Sequence, residues 1–131
     1  MWTPTVRTQS AQPIYEQIVE STAFAIAGRQ LAEGDALPSV RALASELRVN
    51  PNTAARAAKE LERLGLAAAR QGVGSVVAKG AAAAAKRIAR EALQRELDAT
   101  VGVALELGLD LDELIDSLRR RWKEAPRAAR G

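Results

Sequence analysis

The chain contains neither cysteine nor histidine. Those two absences together remove disulfides, thiolate nucleophiles, imidazole general bases and the usual zinc ligands. Aromatic residues supply only 3% of the sequence, so the core has to be built from Leu, Ile, Val and Ala. No apolar run approaches the roughly 20 residues that a membrane-spanning helix needs. The opening Met1-Trp2-Thr3-Pro4 also lacks the charged-then-apolar layout of a secretory leader. Carboxylates remain as catalytic tools, but the Asp and Glu residues are scattered among Lys and Arg, as on a solvated helix face. The expectation is a cytoplasmic protein that does not engage a membrane, is not an enzyme, and needs no cofactor or metal.

What is present points elsewhere. At 131 residues there is room for one compact domain and a modest helical appendage, without a second full ligand-binding domain. A hydrophobic share of 47% and a charged share of 27% are ordinary for a folded chain. The net charge of +3 is compatible with a polyanionic partner, and its distribution says more than its size. Arg48, Arg56, Lys59, Arg63 and Arg70 stand against Glu60 and Glu62 alone, a local cation excess suited to facing phosphates.

Residues 1–12 are polar and aperiodic and read as an extended or loosely held arm. Pro13 suits the first position of a helix carrying Ile14, Ile18, Val19, Thr22, Ala25 and Ile26 at helical spacing, ending near Gly28 or Leu31. After a turn at Gly34-Asp35, Ser39 caps a short helix whose inner face is Val40, Leu43, Ala44 and Leu47. Asn50 as cap and Pro51 as first residue start another helix almost at once, the signature of a helix-turn-helix. That helix buries Ala54, Ala57, Ala58, Leu61 and Leu64, and Gly65 ends it in a left-handed cap. Residues 66–70 and 75–78, flanking Gln71-Gly72-Val73-Gly74, are too short for helices and form a hairpin, or wing.

Beyond Lys79-Gly80 an alanine run at 81–85 begins a long helix, on which Leu93, Leu97, Val101 and Leu105 recur at every fourth position. Gly108 stops it. Asp110 and Glu113 have capping-box spacing for a last helix with Leu111, Leu114, Ile115, Leu118 and Trp122 on one side. The fold class is therefore mainly α with a small β wing: an arm at 1–12, a winged helix-turn-helix at 13–78, a two-helix dimerisation segment at 79–124 and a disordered tail at 125–131.

Such a fold recognises double-stranded DNA by laying its second helix in the major groove, where each base pair presents a distinct pattern of donors and acceptors. Asn50, Asn52 and Thr53 at the start of that helix, and Arg56 one turn on, are the candidates for base edges or phosphates. Asn50 also has the simpler role of cap. Arg41 projects from the side of its helix opposite the core, placed equally well for phosphate or for solvent. Gly72 and Gly74 serve a tight turn and also let backbone approach a groove, with Arg70 or Gln71 supplying the side chain. The apolar faces of the last two helices call for a partner surface, read as a homodimer interface that spaces two recognition helices about 34 Å apart on an inverted-repeat operator. Packing of those faces on their own winged domain is the alternative.

Taken together, Pro13-Ile14-Tyr15-x-Gln17-Ile18 and Gly34-Asp35-x-Leu37-Pro38-Ser39-Val40-Arg41-x-Leu43-Ala44 resemble the opening of a GntR-family DNA-binding domain. Val49-Asn50-Pro51-Asn52-Thr53, Leu61-Glu62-x-Leu64-Gly65-Leu66 and Gly72-x-Gly74-Ser75-x-Val77 continue the pattern in order. The resemblance implies DNA contacts at Arg41, along 50–53 and at the 72–74 wing tip. Pro51 and Ala55 stand where some branches carry arginine, so their base code does not transfer. With only about 50 residues after the wing, the chain is similar to the YtrA subfamily. Its members dimerise through a short helical tail and lack a large effector domain. That likeness implies a repressor, often of a neighbouring operon for a membrane transporter. Two other readings stay open. One is an effector-responsive regulator with a pocket between the C-terminal helices, its effector unknown, although aliphatic faces offer little to orient a ligand. The other is a protein-interaction module whose basic face is incidental.

Overall fold

The computed structural model describes residues 1–126. Five helices and one two-stranded sheet follow in the order α1 (Ile14–Ala27), α2 (Val40–Leu47), α3 (Pro51–Arg63), β1 (Ala67–Arg70), β2 (Gly74–Val77), α4 (Ala81–Glu106) and α5 (Leu111–Glu124). This is the mainly helical winged architecture expected. The tail expected to be disordered lies, beyond Pro126, outside the described residues.

Local chemistry sets the helix starts. Ser39 Oγ accepts the Ala42 N–H at 3.0 Å, which satisfies one of the donors that the first turn of α2 leaves open. Asn50 Oδ1 does the same for the Asn52 N–H at 2.8 Å, and Pro51 is the first residue of α3, where a missing N–H costs nothing. The tight link between the two helices is closed by Arg48, left-handed at φ +54°. For a residue with a Cβ that conformation costs roughly 1–2 kcal/mol. Backbone hydrogen bonds from Arg48 and Val49 to the Ala44 carbonyl help hold it there. Two expectations shift. Pro13 is the N-cap of α1 rather than its first residue. Val40 is exposed, because the buried side of α2 begins at Leu43, one turn past the cap.

Two buried clusters meet on α1. Ile18 joins Leu43, Ala54 and Ala57, uniting α1, α2 and α3. Ala54 and Ala57 have no exposed surface, and their single methyl groups let the helix backbones approach closely. On the other side, Val19, Ala23 and Ile26 pack with Leu61, Leu66, Val77, Ala81 and Ala85. The alanine run is thus more than a favourable helix composition. Ala81 and Ala85 are core residues, and the compact unit extends to Ala92. The second unit, from Leu93, holds the end of α4, the left-handed Gly108 at φ +71°, and α5. Asp110 and Glu113 form the expected capping box, Asp110 Oδ1 accepting the Glu113 N–H at 2.9 Å and Glu113 Oε1 the Asp110 N–H at 3.5 Å.

The wing is broader than a hairpin. β1 and β2 are antiparallel, with Ala67 opposite Val77 and Arg70 opposite Gly74. Residues 34–37, expected only as a turn, run along the other edge of β2. Gly34 and Leu37 donate to the Val77 and Ser75 carbonyls, and Val77 donates to Asp35, each at 2.9 Å. Pairing on both sides protects a strand whose edge would otherwise stay open.

The N-terminal arm is extended but firmly held. The buried Gln17 amide accepts the Arg7 N–H at 2.7 Å and donates to the Arg7 and Gln12 carbonyls at 3.0 and 2.9 Å. Pro4 is buried, and Trp2 and Val6 pack on the two clusters.

Two outcomes follow from this packing. Leu66→Ala, which empties a fully buried site, should destabilise the fold by about 2–5 kcal/mol in urea unfolding. Gln17→Leu should release the arm while leaving the helices folded. In a Trp122→Phe background, Trp2 fluorescence would then shift to longer wavelength, and limited proteolysis would cut before residue 13. Unchanged emission and protection would mean that the arm is held by Trp2 and Pro4 alone.

Candidate nucleic-acid interface

Helix α3 has two faces. With Ala54, Ala57 and Leu61 turned into the core, helical spacing puts Asn52, Arg56, Lys59 and Arg63 on the opposite side. Asn50, Asn52 and Arg56 are exposed, and Thr53 is half-buried. Asn50 is committed as cap through Oδ1, which leaves its amide NH2 free of any hydrogen bond among the described residues. Arg41 is exposed in the first turn of α2 and makes no ion pair or hydrogen bond among those residues.

The cations of α3 are not equivalent. Arg63 grips Glu60 through two parallel hydrogen bonds, from Nε at 3.0 Å and from Nη2 at 2.8 Å. This bond holds the Glu60 carboxyl below the usual carboxylate range and raises Arg63 above its own. Arg63 therefore brings little unbalanced charge to the surface. Arg56 has a different partner. Its guanidinium lies 3.8 Å above the centroid of the Tyr15 ring, a cation–π contact between α3 and the first turn of α1. The pair lines an open cleft of about 510 Å³ with Pro13, Ile14 and Thr53.

At the wing tip the Val73 N–H donates to the Arg70 carbonyl at 3.0 Å, enclosing Gln71 and Gly72. Gly72 at φ +80° and Gly74 at φ +100° occupy backbone regions that side chains disfavour, and a Cβ on either would meet open space. The need for glycine here is thus conformational. Gln71 and Val73 are exposed at the tip, whereas the Arg70 guanidinium reaches back beside Gly34, 3.8 Å from where a Cβ there would sit.

Thr53 and Arg56 are brought together at one cleft, and Asn50 with Asn52 at one cap. Among the described residues no hydrogen bond or ion pair joins Arg41 or the wing tip to them. Two residues escaped the sequence reading as site candidates. Tyr15 did so because its partner is 41 positions away (56 − 15), and Val73 because an apolar residue between glycines looks like part of the turn. Among the described residues no group of carboxylates is placed to hold a metal, and no helix is long and apolar enough to cross a membrane.

Comparison with known proteins agrees with this geometry. Residues 14–77 match the family model described as bacterial regulatory proteins, gntR family. The chain is 38% identical over 112 residues to the uncharacterised HTH-type transcriptional regulator YhcF of Bacillus subtilis, covering 85% of this chain and 91% of that one. It is 33% identical over 106 residues to the HTH-type transcriptional repressor YtrA of the same organism, covering 81% and 82%. A solved GntR-family transcriptional regulator from Listeria monocytogenes superposes with a TM-score of 0.69 at 27% identity, covering 86% and 97%. Relatives matched along nearly their whole length are regulators of transcription and not enzymes. Together with the winged helix-turn-helix and its cation-bearing recognition helix, these matches place the chain in the GntR family of DNA-binding transcriptional regulators, among its YtrA-like members.

Proposed function

We propose that the protein is a cytoplasmic, homodimeric repressor that binds an inverted-repeat operator. The observation that carries the DNA site is the outer face of α3, where Asn52 and Arg56 are exposed and Arg56 forms no ion pair with a carboxylate among the described residues. Arg41, Asn50, Thr53 and the wing residues Arg70, Gln71, Gly72 and Gly74 complete the site. Asn and Arg offer paired donors for base edges, while Arg41 and the wing serve phosphates. The repressor reading draws support from the name of the YtrA relative. The likeness to that subfamily makes a transporter operon the natural target.

The dimer reading rests on apolar surface in the second unit. Leu93, Leu97, Val101, Leu105, Leu111, Leu118 and Trp122 are exposed, Leu105 by 71% and Trp122 by 64%, and Leu114 and Ile115 are only half-buried. Val103 and Leu107, outside the expected stripe, are exposed as well. An apolar area of this kind, rimmed by charge, marks an association surface. On α5, Leu111, Ile115, Leu118 and Trp122 follow each other at four, three and four positions, the spacing of a seam between paired helices. A second copy of the chain supplies the matching face.

Selection of bound fragments from the source genome would give the operator. On that fragment Arg41→Ala should lower affinity about tenfold and reduce the slope of log K against log salt by about 1. Wild-type affinity in this variant would remove Arg41 from the site. Leu97→Glu combined with Leu118→Glu should give a monomer in analytical ultracentrifugation. Its winged unit should keep its fold by circular dichroism, and its operator affinity should fall by at least tenfold. A variant that remains dimeric would rule out these helices as the interface.

A further inference from the structure

We infer that Tyr15, on α1, is a positioning residue for DNA recognition, its ring presetting the Arg56 guanidinium on the outer face of the recognition helix. The inference rests on the DNA role proposed above for Arg56 and assigns part of the recognition machinery to a helix that need touch no base.

Arginine carries its charge at the end of a long, flexible side chain. Four rotatable bonds separate its backbone from the guanidinium, and fixing them on binding costs conformational entropy. A partner in the free protein that already restricts those bonds lowers the cost. Two kinds of partner were open to Arg56. Glu60, one turn further along α3, is a carboxylate, but it is bound on both oxygens by Arg63. The Tyr15 ring is neutral, and it faces the guanidinium at 3.8 Å. The two partners differ in consequence. A carboxylate would cancel the charge that a phosphate or guanine needs, whereas an aromatic face holds the cation and leaves its charge and in-plane N–H donors free. The site therefore separates one arginine that is neutralised from one that is held ready.

Tyr15 is itself well fixed. It is half-buried against the cluster formed by Ile18, Leu43, Ala54 and Ala57, the packing that also seats α3. The ring and the recognition helix thus share one foundation. Among the described residues the Tyr15 hydroxyl donates a hydrogen bond to the exposed Glu16 carboxylate alone, at 3.3 Å, so the ring face, not the hydroxyl, carries the effect. Phenylalanine should substitute for it, and an aliphatic residue of similar bulk should not.

The test uses the full-length protein and an operator fragment selected by the wild type. In the free protein, NMR should show the Arg56 δ-methylene protons shifted upfield by the ring, a shift kept in Tyr15→Phe and lost in Tyr15→Leu. In fluorescence anisotropy, Tyr15→Leu should weaken binding about three- to tenfold, Tyr15→Phe less than twofold, and Tyr15→Leu less than twofold once Arg56→Ala is present. Equal losses from Tyr15→Leu with and without Arg56 would overturn the positioning role, as would an absent ring shift. If Tyr15→Leu melts at a lower temperature than the wild type, the comparison of Phe with Leu at a temperature where both are folded decides the matter. A wild type that selects no fragment at all would instead sink the DNA reading, and the ring-shift measurement would still report whether the pair exists.

Discussion

Close packing of α3 against α1 and α2 through Ala54 and Ala57 governs most of what this protein presents to the outside. Two methyl groups with no exposed surface face Ile18 and Leu43. Larger side chains there would push the helix off its seat, since a packed core tolerates little added volume. The contact also fixes rotation. Once Ala54, Ala57 and Leu61 point inward, the helical repeat turns Asn52, Arg56, Lys59 and Arg63 outward, whatever their own preferences. The same cluster seats Tyr15, so the orientation of the recognition helix and the position of its arginine partner arise from one piece of packing.

The second cluster does different work. It joins α1 to the wing and to the first turns of α4, and Ala23, Ala81 and Ala85 within it have no exposed surface. Its buried members are all aliphatic, and in this way a chain with 3% aromatics builds a core. Polar groups inside are few and satisfied. Thr22 donates to the Ile18 carbonyl at 2.7 Å, and Gln17 ties down the arm. No buried side-chain nitrogen or oxygen lacks a partner among the described residues.

In charge, the surface is uneven for reasons that a residue count hides. Five cations between Arg48 and Arg70 looked like one basic patch. Arg63 is neutralised by Glu60, the Arg70 guanidinium turns back beside Gly34, and Arg56 rests on a ring. The field available to a phosphate is set by which cations have carboxylate partners, and sequence order does not disclose that.

By itself the sequence determined the elements and their order. Caps at Ser39, Asn50 and Asp110, the helix stop at Gly65 and the glycine turn at 72–74 act over a few residues, so they can be read directly. The family pattern made the DNA-binding fold legible for the same reason. What only the tertiary structure decided involves residues far apart in the chain. It paired the 34–37 segment with β2, pinned the arm on Gln17, and drew Ala81 and Ala85 into the core. It also set Tyr15 beneath Arg56. Each of these depends on how helices pack and not on any local preference, and packing is a property of the whole chain. The recognition helix could be found from its cap, but the state of its arginines could not.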